Sequence, residues 1–397
     1  MTSHLKKILM VTGLLLAGCE TYNLERPQET LEAQRQTELI NRSEVIAVVN
    51  SVDVATDLEQ QAARWGYDLK RKEMLDGLDL YLLTFDCPPG VDPHVASLEL
   101  QRLQPASTVE ANHKYKLQSS MNAVSHMKNQ SPRKYANSLI EWPEEGCESL
   151  FSIGIIDGGV NTGQLPANSR SLVTSQKFIS GKEARGAQAH GTAIAELLVG
   201  TGRLKNAKLF NASVVSEDSA GVQFSGVEPM LKALNWMVKS DVRIINISLA
   251  GPYNRTLDRG IQRAIDKGVI IVAAVGNEGA QSVPLYPAAL DGVIAATAVD
   301  SDTQIYPKAV RGRHVDVAAP GVDVFVGDNK SGRYVSGTSI AAPFVVAKIA
   351  SDPRYKDIKN PDEIRAIFKA EALDLGEVGP DNIFGAGLIK ANQNCRY

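Results

Sequence analysis

The sequence predicts an α/β protein with two folded parts, a small α+β unit followed by a larger unit built on a parallel sheet. Three observations point there. The chain has 397 residues, more than one ordinary domain of roughly 150. From Leu150 onward, apolar strands alternate with amphipathic helices, the pattern of a parallel sheet covered on both faces. Between residues 44 and 117, six short elements succeed one another in the order βαββαβ. With 44% hydrophobic and 22% charged residues, the chain has the composition of a folded protein. A net charge of -3 and a pI near 6.1 weigh against nucleic acid as a partner, since phosphate binding needs a basic face.

In the first unit, Glu44–Asn50 is an apolar strand. Val54–Trp65 carries Leu58, Ala62 and Trp65 at helical spacing. Leu69–Met74 and Leu78–Phe85 read as strands. Pro93–Gln104 reads as a helix with proline in its first turn, and Thr108–Tyr115 as the last strand. This is the ferredoxin-like arrangement. About 75 residues suffice for a small core. Residues 118–148 read as a linker, with Ser119, Ser120, Asn122, Asn129, Ser131 and Pro132 marking it and Tyr135, Leu139, Ile140 and Trp142 set to pack on the second unit.

In the second unit, residues 149–397, Ser149–Ile156, Lys208–Val215, Val242–Ser248 and Val269–Val275 are apolar strands. Val227–Ser240 is a helix with Leu231, Leu234 and Val238 inward. Arg255–Lys267 is a helix with Leu257, Ile261, Ala264 and Ile265 on one face.

The amino terminus reads as an export signal over residues 1–18. Lys6 and Lys7 precede the apolar stretch Ile8–Leu16, and Leu16-Ala17-Gly18-Cys19 resembles a bacterial lipobox, in which the cysteine is lipidated. Glu20, rather than Asp, comes after Cys19, which resembles the outer-membrane class. Residues 19–43 are polar and read as a tether. After residue 20 no apolar run reaches the roughly 18 residues that a membrane span needs.

Three segments carry chemistry. Gly154-Ile155-Ile156-Asp157-Gly158-Gly159 is a strand ending in an acid. His190-Gly191-Thr192-Ala193-Ile194-Ala195 opens a helix that runs to Val199. Ser336-Gly337-Thr338-Ser339-Ile340-Ala341-Ala342-Pro343 is a glycine turn into an apolar helix. A serine hydroxyl needs a neighbouring base to become a nucleophile, and the base needs an orienting carboxylate. Carboxyl ends of strands and amino ends of helices share one crevice in a parallel sheet. The three residues are therefore placed to meet. Asp157 and His190 are 33 positions apart, His190 and Ser339 149.

In this order and spacing, residues 150–392 resemble the subtilisin-like serine peptidases. The resemblance implies catalytic roles for Asp157, His190 and Ser339, with Asn277 of Ala274-Val275-Gly276-Asn277-Glu278-Gly279 as oxyanion donor. It implies that Ser248, Leu249 and Ala250 pair with the substrate backbone, that Ser219, Ala220 and Gly221 form the opposite edge, and that Gly276 lines the site. Leu285-Tyr286-Pro287-Ala288 and Phe384-Gly385-Ala386-Gly387-Leu388 match further family segments. Two positions depart. Gly158 stands where the family has Ser or Thr, and Ala193 where it often has a second His. After Val199 no closely spaced acids provide a calcium loop, so no metal is expected there, and the chemistry implied requires no cofactor.

The same resemblance reads residues 44–117 as an inhibitory propeptide, with Val109-Glu110-Ala111-Asn112 near its close and a maturation cut between about residues 113 and 125. Against this stands an unrelated ferredoxin-like binding domain. The partners implied are protein or peptide substrates, the chain's own propeptide and, through Cys19, the outer membrane. No acid lies along Ala273–Gly276 or near Ser282 and Val283, so neutral or apolar residues are expected at P1 rather than Arg or Lys. Cysteine spacing fits no zinc pattern. Cys147 and Cys395 flank the second unit, whose ends should lie close, so a disulfide is expected between them, with Cys87 a strand thiol. Alternatives of other classes are a non-catalytic binder on this scaffold and a transpeptidase using the same acyl-enzyme.

Overall fold

The computed structural model describes residues 40–118, 135–179, 185–217, 221–327, 332–358, 360–392 and 395. The export signal, Cys19, residues 20–39, the linker residues Ser119–Pro132, and Ser219 and Ala220 lie outside them.

Six elements come first among the described residues: β1 (Ile40–Val49), α1 (Val52–Arg64), β2 (Asp68–Leu75), β3 (Leu80–Asp86), α2 (Pro93–Leu103) and β4 (Thr108–Leu117). The strands form an antiparallel sheet in the order β4-β1-β3-β2. Both helix starts are encoded locally. The Ser51 hydroxyl accepts from the Val54 N–H, and the Asp92 carboxylate accepts from the His94 N–H with Pro93 at the first helical position. Period-two alternation in β1 splits its side chains. Val45, Ala47 and Val49 pack with Leu58, Ala62 and Leu100 in the unit's own core, while Ile46 and Val48 belong to the core of the second unit. The small sheet is thus covered by its own helices on one face and by the larger unit on the other.

In the larger unit seven strands run parallel, in the spatial order Val317–Pro320, Val293–Val299, Ile270–Ala274, Ile244–Ile247, Ile153–Asp157, Leu209–Ser213 and Val173–Lys177. From Ile153–Asp157 the chain goes to the Val173–Lys177 edge, returns through Leu209–Ser213, and crosses to Ile244–Ile247 on the other side. That reversal opens a crevice beyond the carboxyl ends of the strands, where Asp157 stands. The Ile244–Ile247 and Ile270–Ala274 strands are buried throughout, as covering of both faces requires.

The helices Val227–Lys239 and Arg255–Asp266 pack on each other and against β4. The helices Arg185–Val199 and Thr338–Ala350 pack on each other. Cys147 and Cys395 form a disulfide with a Cα separation of 5.3 Å, in agreement with the expectation from their placement in the sequence. Cys87 is free and comes after β3 rather than lying in it. Burial first, with nearby Asp86 and Asp92, pushes its thiol up to about 11.

Candidate active site

Asp157 ends the central strand and is fully buried. The next two residues turn away, and the Gly158 N–H donates back to Asp157 Oδ1 at 2.7 Å. The turn at Gly158 has no room for a side chain. A Cβ there would sit 2.0 Å from the Ala187 carbonyl oxygen, and a Cβ at Gly191 would sit 2.5 Å from the Gly158 oxygen. Two facing glycines let the helix press onto the turn. The helix begins at Arg185, not at His190, so His190 projects from its second turn rather than its cap.

His190 Nδ1 lies 2.7 Å from Asp157 Oδ1 and 2.9 Å from Oδ2. Two carboxylate contacts require the proton at Nδ1, which leaves Nε2 as the acceptor. Nε2 stands 3.1 Å from Ser339 Oγ. Ser339 is the second residue of its helix, after the Gly337 cap. All three side chains are nearly inaccessible. Pro343 lacks the N–H that would bond the Ser339 carbonyl, and the Ser248 hydroxyl points at that oxygen instead.

Asn277 stands beside Ser339. Its Oδ1 accepts from the Thr338 N–H at 3.1 Å and the Thr338 hydroxyl at 2.9 Å. With the oxygen so held, the amide NH2 is the end left for a ligand. Both backbone groups of Gly276 serve the protein itself, the N–H on Thr338 Oγ1 and the carbonyl on the Val310 N–H.

The crevice is filled by the chain's own β4. Lys114 and Tyr115 pair with Gly226 and Ser225, and Lys116 and Leu117 pair antiparallel with Ala250 and Leu249. Ser219 and Ala220 lie outside the described residues, and Gln223–Gly226 is the second strand that β4 meets. Gly221 lies earlier, in the turn leading into it, with positive φ. The Gln118 N–H donates to the Ser248 carbonyl at 3.1 Å, and its carbonyl accepts from the Ser339 N–H at 3.2 Å. Tyr115 is fully buried and donates to the Pro252 carbonyl at 2.8 Å. Burial pushes its phenol well above the ordinary value, so it remains a neutral donor. A Cβ at Gly251 would meet the Tyr115 ring at 2.7 Å, so the glycine makes that pocket.

Contacts that sequence reasoning missed lock the small unit over the crevice. The Val227–Lys239 helix has no side-chain cap of its own. Asn112 supplies one from β4, its Oδ1 accepting from the Val227 N–H at 3.1 Å. Asn254 caps the next helix and donates to the Ala111 carbonyl. Glu228 takes a forked bond from Arg71, a hydroxyl from Thr84 and an ion pair from Lys232. Burial alone would raise the Glu228 carboxyl, but Arg71 and Lys232 outweigh it and hold it below the usual value. The cap preference of Asn was the available signal, but nothing local reveals a cap supplied from a distant strand.

The subtilase family model matches residues 149–387, and the chain belongs to that family. It is 30% identical over 249 residues to subtilisin DY of Bacillus licheniformis, covering 60% of this chain and 88% of that one. It is 31% identical over 237 residues to a thermostable alkaline protease of Halalkalibacterium halodurans, covering 57% of this chain and 62% of that one. Among solved structures, fervidolysin from Fervidobacterium pennivorans, a keratinolytic enzyme related to subtilisin, shares the fold at a TM-score of 0.67 and 18% identity. The match covers 89% of this chain and 60% of that one. An epidermin leader peptide processing serine protease from Staphylococcus aureus shares it at 0.63 and 16%, over 87% of this chain and 97% of that one. Family membership makes the chain a serine peptidase by class.

Proposed function

We propose that the protein is an exported serine endopeptidase, made as a precursor that occupies its own active site. One observation carries the reading: Gln118 has its N–H on the Ser248 carbonyl and its carbonyl on the Ser339 N–H, beside a hydroxyl in contact with His190. That is the register of a peptide about to be cut, or just cut, between Gln118 and Ser119.

In this reading Ser339 Oγ attacks the carbonyl carbon of the scissile bond and passes its proton to His190 Nε2. Asp157 holds the resulting imidazolium through Nδ1. The Ser339 N–H and the Asn277 amide stabilise the oxyanion, one such donor being worth about 3–4 kcal/mol of barrier, a scale measured on subtilisin. The C–N bond breaks, His190 returns the proton to the leaving amine, and the acyl group stays on Ser339. Water then gives a proton to His190, attacks the ester, and frees the serine and a carboxylic acid. Every step uses groups of the chain and water.

Residues 44–117 act as the propeptide, and β4 with Gln118 is its inhibitory tail, held by strand pairing on both sides. Cys19 carries the lipid, so a cut at Gln118–Ser119 leaves the anchor on the propeptide and detaches the peptidase. The support is the export-signal pattern Lys6-to-Cys19 and the position of Cys19 ahead of that bond.

A fluorophosphonate should label Ser339 in the processed protein and nothing in Ser339→Ala. Absence of labelling in processed, folded wild type would favour a non-catalytic binder. Fractionated cells should hold the amino-terminal fragment in the membrane and release the peptidase. Active protein that stays whole and membrane-bound would refute the release.

A further inference from the structure

The Gln118 side chain is buried along with its backbone, and its carboxamide is read at both ends. Oε1 accepts from the Asn277 backbone N–H at 2.7 Å. Nε2 donates to the Lys116 carbonyl, two residues back on the same strand, at 3.1 Å. One partner is a donor and demands an acceptor. The other is an acceptor and demands a donor. Among the side chains of this length, a carboxamide meets both demands.

We infer that the enzyme selects glutamine at P1, with the Asn277 backbone N–H as the specificity-determining group; this rests on the peptidase reading above. The second partner is general, because any substrate held in this register brings its own P3 carbonyl. Methionine has the same reach but meets neither demand and leaves the Asn277 N–H buried without a partner. An ionised glutamate satisfies Asn277 but turns its second oxygen onto the P3 carbonyl, acceptor against acceptor. Lysine satisfies the carbonyl, but its ammonium faces an N–H. The expectation of a neutral P1 residue is thereby narrowed to one. Asn277 serves twice, its side chain at the oxyanion and its backbone at the P1 amide, so recognition is coupled to the position of the oxyanion donor.

A buried donor left unsatisfied, or two like groups opposed, should lower kcat/KM about tenfold to a hundredfold. The test uses full-length protein after self-processing, with peptides of sequence Tyr-Lys-Leu-Xaa-Ser-Ser in which Xaa is Gln, Met, Glu or Lys. In parallel, full chains carrying Gln118→Met or Gln118→Glu are followed for the appearance of an amino terminus at Ser119. The Gln peptide should exceed each of the others by at least tenfold in kcat/KM, and both variants should process correspondingly more slowly. Equal cleavage of the Gln and Met peptides, together with unchanged processing of Gln118→Met, would overturn the selectivity and leave the peptidase standing. Cleavage of no peptide by processed protein, or equal cleavage by Ser339→Ala, would overturn the peptidase reading itself.

Discussion

One methyl group at Gly158 should silence the active site without unfolding the protein. A Cβ there would lie 2.0 Å from the Ala187 oxygen and 2.3 Å from its carbonyl carbon. Non-bonded heavy atoms settle near 3.5 Å, so about 1.5 Å must open between the Asp157 turn and the helix bearing His190. Both obstructing atoms are backbone, so no side-chain rotation relieves the contact. Overpacking of this kind costs about 1–3 kcal/mol of stability, or about 1 °C of melting temperature per kcal/mol in a chain of this size. The chemistry suffers more. His190 sits three residues beyond Ala187, and its contacts of 2.7 Å to Asp157 and 3.1 Å to Ser339 cannot both survive a shift of that order. Displacement by about 1 Å costs about 10²-fold in rate. The assay is the rate of fluorophosphonate labelling of Gly158→Ala, timed by mass spectrometry beside a thermal melt. A fall of about a hundredfold in a folded protein is expected. Labelling at the wild-type rate would refute the argument, and with it the claim that this turn requires glycine.

Three further outcomes are expected from other contacts. Asn277→Ala should lower kcat by about 10²–10³ with the fold intact, read by single-turnover hydrolysis. Cys147→Ser, which opens a link between residues 248 positions apart, should cost about 2–5 kcal/mol, read by denaturant unfolding. Because Glu228 is held below its usual value, its stabilising contribution is complete above the ordinary glutamate pKa of about 4.3 and is lost as pH falls through the lower folded value. The melting difference between Ser339→Ala and the same chain with Glu228→Gln should therefore be constant above the ordinary glutamate value and narrow steadily as pH falls below it, and a difference that does not narrow with acid would count against the Arg71–Glu228 account.

The legible parts of the sequence were those with local signals. The βαββαβ order, the apolar strands around Asp157 and the two helices under β4 arise from periodicity, and the places of Asp157 and Ser339 from a strand end and a helix start. The Val173–Lys177 edge strand was not anticipated, because its side chains are largely polar and exposed and carry no apolar pattern. The start of the helix at Arg185 was missed because the motif at His190 marks no residue ahead of it. The need for Gly158 depends on Ala187, which no local window contains. Most of all, Gln118 went unmarked. The expected strand stopped at Tyr115, since what extends it to Leu117 is pairing with residues 249–250 of another unit. The run Tyr115-Lys116-Leu117-Gln118, alternating after the last strand residue expected, was the signal available.

In the proposed function, Ser339 cuts its own chain after Gln118, whose carbonyl its N–H already holds. The most direct measurement is the intact mass and amino-terminal sequence of purified wild type and Ser339→Ala. Wild type should give a fragment beginning at Ser119, and Ser339→Ala should stay uncut, with residues 44–118 joined to the rest. A cut at Ser119 in both proteins, or a wild type that labels with fluorophosphonate yet is never cut there, would contradict this role of Ser339.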